Sequence, residues 1–439
     1  MKRLFLVLAA ACALPAALMA QELSAALNTG LKASNTDVSD FTVYEEVAPN
    51  FTLPIGASAE FAGSGFIKGA YSSAYAANSA SLDGTAPFTY GLDELRLEAI
   101  AKAPQAGIDS LVFDVGRFQF DDPSGDILYS PADGLGFSFR YPNLELNFRS
   151  AYTGLLFEDD SPISMSLADK ANNGVFGSPR FLFETDLDVP NLFGQSFAFS
   201  VLGQNDLTPS SSILAEGSTT RDPSMGGRLS TQYFELEASG AISTVGYQAF
   251  VAYGTGTTLS WIASSPIAGS YEYKPISSFL GGFNASLPLA LPIDGSTLAC
   301  QFLFASGDTN ASQPLEGNTQ PVYGAFTPIS STSLGLVFSP SLSNIVLGEL
   351  SFGAKPKIGT LSLDGLFKLM AFFRPTLGPI YVTSVNIAPS SSYLGSEADL
   401  SLSCGIRSDV EVSCSLGLFV PQSASNVQYS GSVVASIKI

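Results

Sequence analysis

The chain has 439 residues, with 39 acidic against 20 basic side chains, no histidine and a formal charge of -19. That balance argues against a nucleic-acid partner, because an acidic protein repels phosphates. The lack of histidine rules out Ser-His-Asp and Cys-His catalysis and any His-containing zinc site. At 46% apolar and only 13% charged, the composition is unusual for an acidic soluble domain and too apolar for disorder.

At the N-terminus, Lys2 and Arg3 precede an apolar stretch from Leu4 to Leu18, and Ala20 precedes polar Gln21 and Glu22. This is the layout of a cleaved secretory signal. Residues 1–20 are therefore expected to be a signal peptide and 21–439 a single exported domain. Leu18 stands where a smaller residue is usual, so the cut can shift by a few positions. A lipoprotein, with Cys12 lipidated after Ala9-Ala10-Ala11, is the weaker alternative, since an apolar rather than polar segment follows Cys12. Beyond this leader no apolar run approaches the ~18 residues of a membrane helix.

The apolar residues instead recur with period two. Leu95, Leu97, Ala99 and Ala101 alternate with Glu94, Arg96, Glu98 and Lys102. Leu144, Leu146, Phe148 and Tyr152 alternate with Glu145, Asn147, Arg149 and Ser150. The pattern continues through Phe181 and Phe183, Phe197 to Val201, and Leu298 to Phe304. Leu361 to Phe373 interposes Ser362, Asp364 and Lys368; Leu394 to Ile406 interposes Glu397, Asp399, Ser401 and Ser403; Val410 to Leu418 follows suit. From Val427 to Ile439 the alternation runs to the last residue. Period two places the two sets on opposite faces of a strand. These strands reach the ~9–11 residues of a tilted membrane strand. No segment outside the leader has a helical period.

The connections are expected to alternate in length. Short ones fall at Pro142-Asn143, Ser243-Thr244, Ser339 to Asn344 and Arg407-Ser408-Asp409, and long ones at Gly154 to Pro179, Asn205 to Gly227, Thr255 to Ser277 and Gly307 to Ser330. Strict alternation calls for further strands in 41–60 and at Ile380 to Ile387. The fold class is thus all-β: a single transmembrane antiparallel barrel of about 18 strands, within roughly 16–20. A sheet crosses a bilayer only when closed, since every backbone polar group must be paired. A soluble β-sandwich also alternates, but its strands are shorter and its polar faces richer in lysine.

Candidate functional residues are then those facing the lumen: Glu94, Arg96, Glu98, Lys102, Arg117, Arg140, Glu145, Arg149, Asp364, Lys368, Glu397 and Asp399. Opposed acids and bases across a pore filter solutes by charge and size, and the acidic excess implies a weak cation preference. The carboxylate groups Asp121-Asp122 and Glu158-Asp159-Asp160 read as loop features, although hard oxygen ligands also suit calcium. Neither a cofactor nor catalysis is expected. Cys404 and Cys414 flank the Arg407–Asp409 turn; a turn region of about five residues would let them bridge, whereas a tighter one offsets them beyond reach.

Several short motifs carry a family resemblance: Phe304-Ala305-Ser306-Gly307-Asp308, Leu394-Gly395-Ser396-Glu397-Ala398-Asp399-Leu400 with Phe419-Val420-Pro421, and Val115-Gly116-Arg117 with Gly125-Asp126. Together they resemble the alginate-export-type family of outer-membrane porins. The resemblance implies an 18-strand barrel that moves polysaccharides or small solutes. An alginate exporter needs a basic lumen, and this chain is acidic, so what carries over is the architecture. The functional expectation is a passive outer-membrane channel of a diderm bacterium for small or oligomeric polar solutes, with saccharides among the candidates. Outer-membrane lipid and the barrel-assembly machinery would be its partners. Two alternatives stand beside it: a surface adhesin using its long loops, and a secreted soluble β-protein.

Overall fold

The computed structural model describes residues 22–35, 39–75, 88–103, 107–158, 161–173, 175–265, 268–311, 313–359, 361–380, 391–422 and 427–439. The expected signal peptide, 1–20, lies outside them.

Eighteen strands form the wall. They are β1 Glu22–Ser34, β2 Ser39–Pro54, β3 Ala59–Tyr75, β4 Phe88–Ala103, β5 Ile108–Asp121, β6 Tyr129–Tyr141, β7 Leu144–Tyr152, β8 Arg180–Leu192 and β9 Gln195–Asp206. The second half comprises β10 Arg228–Ile242, β11 Val245–Ser265, β12 Ala268–Pro288, β13 Thr297–Ala305, β14 Ile345–Ala354, β15 Leu361–Phe373, β16 Tyr393–Gly405, β17 Val410–Pro421 and β18 Gln428–Lys438. A nineteenth extended piece, Lys357–Ile358, is a two-residue pairing within the β14–β15 turn. Each strand pairs antiparallel with its sequence neighbours, and β18 closes onto β1 through pairs such as Thr29↔Ala435. Ala25 and the terminal Ile439 exchange backbone hydrogen bonds of 3.0 and 2.8 Å. The sheet therefore has no free edge, which is the condition for spanning lipid.

One face of this sheet presents large apolar side chains outward. Phe148, Leu236, Val251, Phe302, Leu369, Leu402, Leu416 and Val433 are all exposed. The other face carries the polar alternates and receives the loops. The first and last described residues, Glu22 and Ile439, and the turns 55–58, 142–143, 193–194, 243–244 and 406–409 lie at one end, and the strand ends joined by the long connections 153–179, 207–227, 306–344 and 374–392 lie at the other. The one α-helix among the described residues is a short piece, α1 Leu167–Asn173, within the connection 153–179.

Three expectations need correction. Thr255 to Ser277 is mostly strand: β11 and β12 are 21 residues each and pair up to Trp261↔Tyr271 and beyond. Its threonines, Trp261 and Tyr271 suit a pleated surface despite the polar composition, and the Trp261 and Tyr271 rings meet edge-on at 5.2 Å. Second, no strand separates the expected connections Gly307 to Ser330 and Ser339 to Asn344. The run Leu334-Gly335-Leu336-Val337-Phe338 packs inside the barrel instead, so 306–344 is a single connection. Third, most of the expected strand at Ile380 to Ile387 lies outside the described residues. β15 and β16 pair directly, Lys368 opposite Asp399, so no strand stands between them.

Candidate functional site

The register of the closed sheet decides which side chains share the inner face. Starting from Tyr233 and Phe419, which touch the inward-folded loop 306–344, the cross-strand partners trace one continuous set around the wall. Glu94, Arg96, Glu98, Arg140, Glu145, Arg149, Asp364, Lys368, Glu397 and Asp399 all fall on it. Arg117 does not. It is opposite Leu95 and Asp133, on the face of exposed Leu95 and Leu135, yet it is only 5% exposed itself. Its guanidinium grips Asp133 at 3.0 and 2.6 Å and donates to the carbonyls of Leu92 and Leu155. The connection 153–158 thus folds outward over the wall, where Phe157 meets Tyr90 edge-on at 4.5 Å. Lys102 sits at an irregular step between Ala101 and Ala103 near the turn end, exposed and without an ion pair among the described residues.

Loop 306–344 gives the lumen its shape. Trp261 donates its amide to Leu315 at 3.0 Å, Tyr323 donates to Pro275 at 2.9 Å, and the Tyr233 hydroxyl donates to the carbonyl of Thr327. Ile329 then donates to Ile127 at 2.8 Å and Ser331 to Pro162 at 2.7 Å, on loops beside β5 to β7. From there the chain returns to β16 and β17. Glu397 accepts the amides of Val337 and Phe338 at 2.7 and 2.8 Å, and Asp399 accepts that of Leu336 at 3.2 Å. Phe338 stacks on Phe419 with centroids 4.4 Å apart. Two glycines permit this approach: a Cβ at Gly335 would stand 2.7 Å from a Glu397 oxygen, and one at Gly417 2.7 Å from Asp399.

The result is an apolar core inside the barrel. It joins Phe118 and Phe120 of β5 through Phe326, Ile329 and Phe338 to Phe372 and Phe419. Among the described residues, β18 and β1 to β4 contribute nothing to it. Along β18 and β1–β4 the inner face instead carries polar side chains outside that core, including Lys32, Tyr44, Glu46 and Lys68.

The arginines on the inner face are closely compensated. Arg96 lies 3.1 Å from both Glu94 and Glu98 and 3.4 Å from Asp114. Arg149 reaches Asp121, Glu184 and Asp186 at 3.0, 2.9 and 3.1 Å. Arg140 pairs with Glu145 at 3.2 Å and Lys368 with Glu349 at 3.1 Å. At the turn end, Asp364 pairs with Lys355 at 2.8 Å. Several further inner-face acids were not singled out from the sequence: Glu184, Asp186 and Asp188 on β8, Glu235 and Glu237 on β10, and Glu349 on β14. Those on β8 alternate with the apolar Phe181, Phe183 and Leu187, which was the available signal. In loop 122–128, Asp122 accepts the amides of Gly125, Ile127 and Leu128. Burial, and then the Asp122 charge, push the Asp126 carboxyl up to about 7.

Of the two alternatives for Cys404 and Cys414, the structure has the tighter turn and no bridge: both thiols are free. Cys404 pairs with Val412 and Cys414 with Leu402, a two-residue offset.

No family model matches the chain, and no curated protein matches it. Solved structures do match in fold. Pseudomonas aeruginosa OccK10 (OpdN) is 10% identical with a TM-score of 0.52, over 95% of this chain and 98% of that one. The outer membrane protein OpdK of P. aeruginosa is 9% identical with a TM-score of 0.50, over 95% and 98%. Acinetobacter baumannii OccAB4 is 10% identical with a TM-score of 0.51, over 95% and 97%. The likeness spans the whole barrel and is one of fold.

Proposed function

We propose that this protein is an outer-membrane channel for passive passage of small polar solutes. The observation that carries the reading is a closed barrel with an apolar exterior, a charged inner face and a loop that narrows the lumen from within. Such a loop restricts passage by size and leaves a polar path beside it. The neighbours in fold include a named outer membrane protein, and OpdK has also been crystallised with vanillate. Leader cleavage near residue 20, lipid around the apolar belt and delivery by the barrel-assembly machinery complete the reading.

The alginate-export-type resemblance is retained for its architecture. With Arg96, Arg140 and Arg149 each held by carboxylates, a polyanion finds no free row of cations. The solutes are therefore uncharged or weakly cationic, with small saccharides among them. An adhesin reading is weakened because the longest loop packs into the barrel rather than outward. No part of this function calls for catalysis or a cofactor.

Liposome swelling tests it. Vesicles bearing the purified barrel should swell in small neutral sugars, progressively more slowly as the sugar grows. Vesicles that stay impermeable to all of them would refute the channel.

A further inference from the structure

On the inner face of β11 to β14, at the turn side of the apolar core, the wall carries a row of side-chain amides. Gln248 of β11 stands opposite Asn284 of β12, Asn284 opposite Gln301 of β13, and Gln301 opposite Glu349 of β14. The next inner positions toward the long connections include Phe250, Leu303 and Leu347, all members of the core. The Phe250 ring lies against Gly282, where a Cβ would collide with it. The next inner positions toward the turns are small: Gly246, Ser286, Ala299 and Ser351. Bulk on one side of the row and small side chains on the other leave a recess of about 530 Å³. That lies within the ~300–1,000 Å³ of small-ligand sites.

The row is only partly bonded to itself. The Asn284 amide donates to the Gln248 side-chain oxygen at 2.9 Å, and the Gln248 amide donates to Glu237 of β10 at 2.9 Å. Gln301 lines the recess, and its side chain has no hydrogen-bond partner among the described residues. At the far end Glu349 holds the Lys368 ammonium at 3.1 Å.

These groups sort solutes by chemistry. An anion meets two carboxylates, and the cation at the row, Lys368, is already paired. A cation finds Glu237 without an ion pair among the described residues, but that carboxylate already accepts from Gln248. An apolar solute would cover the Gln301 amide and leave it unpaired, which is unfavourable. A polyol suits the row, because each amide offers a donor and an acceptor side by side and each hydroxyl can do both. We infer that this recess is a binding subsite for neutral saccharides, with Gln301 and Asn284 bonding adjacent hydroxyls and Glu349 accepting from another. The subsite rests on the channel reading and names a solute class for it.

Binding is therefore measured without conduction. The probe is maltose, added to the folded full-length mature barrel in an amine-oxide detergent, which carries no sugar headgroup. Saturation-transfer NMR should show saturable binding. Maltobionate, which is maltose with one ring opened to a carboxylate, should bind roughly tenfold more weakly or worse, since like charges repel. Gln301→Leu should weaken maltose binding about fivefold, the loss of one neutral hydrogen bond. Ser432→Leu, on the inner face of β18, should leave it unchanged. A barrel that binds maltose in this way but never conducts overturns the channel and keeps the subsite. Absence of saturable binding, equal affinity for maltobionate, full affinity in Gln301→Leu, or an equal loss in Ser432→Leu overturns the subsite. Should Gln301→Leu fail to fold, the comparison of the two sugars on the wild type still decides.

Discussion

Arg117 binds Asp133 through two contacts, 3.0 and 2.6 Å long, on the outward face of β5 and β6. Sequence alternation alone had suggested a lumen residue. The pair is covered by the backbone of Leu155 and serves to hold the loop 153–158 against the wall. Arg117→Ser should leave ion selectivity unchanged. It should also cost roughly 2–3 kcal/mol of stability, below the usual penalty for a fully buried pair because Asp133 is partly exposed. Urea unfolding in detergent, set beside reversal potentials of the same variant, separates the two effects.

Arg96 is the contrasting case. It faces inward among Glu94, Glu98 and Asp114, so Arg96→Glu removes the cation that offsets three carboxylates. Cation preference should rise, and rise more at low salt, since screening acts over about 8 Å at physiological ionic strength. Reversal potentials in a potassium chloride gradient measure it. An unaltered selectivity would mean that ions do not pass Arg96. Glu397→Lys is a poorer probe of selectivity, because Glu397 is covered by the loop it holds.

The Asp126 carboxyl makes the stability of loop 122–128 depend on pH. Its folded value, about 7, stands above the unfolded one, so the ordered loop 122–128 binds a proton that the disordered loop releases. Loop stability is greatest below about 4, declines as the pH rises, and stops declining above about 7. Amide exchange at Ile127 and Leu128, corrected for intrinsic rate, should lose about tenfold protection or more across that window. Asp126→Asn should abolish the change; a variant that keeps the full wild-type dependence would assign it to another group.

Cys404 and Cys414 sit two residues out of register across the Arg407–Asp409 turn. With Cys300 also free, protein unfolded without reductant should titrate as three thiols once residues 1–20 are removed. A count of one would show a bridge that this register does not allow.

Strand alternation made the barrel legible because the two faces see different solvents, and the difference is written at every second residue. The polar alternates of β4, β7, β15 and β16 came out on the inner face for this reason. Arg117 was misplaced because a local charge looks the same whether it meets water or a loop carbonyl. The path of segment 331–342 was hidden for a related reason. Leu334, Val337 and Phe338 carry the apolar character of a wall strand, but what they cover is a long-range partner, Phe372 and Phe419, that no local period encodes. Glu397 and Asp399 were visible as inward acids. Their role as acceptors for backbone amides depends on Gly335 of the loop coming against Glu397 and on Gly417 of the next strand leaving room beside Asp399, which the long-range path of the loop brings about.

Single-channel recording of the purified, full-length mature barrel in planar bilayers tests the channel most directly. Stepwise insertions of uniform conductance are expected, with a reversal potential in a salt gradient that shows a weak preference for cations. Silent insertion of folded, heat-modifiable barrel, or a strong preference for anions, would contradict it.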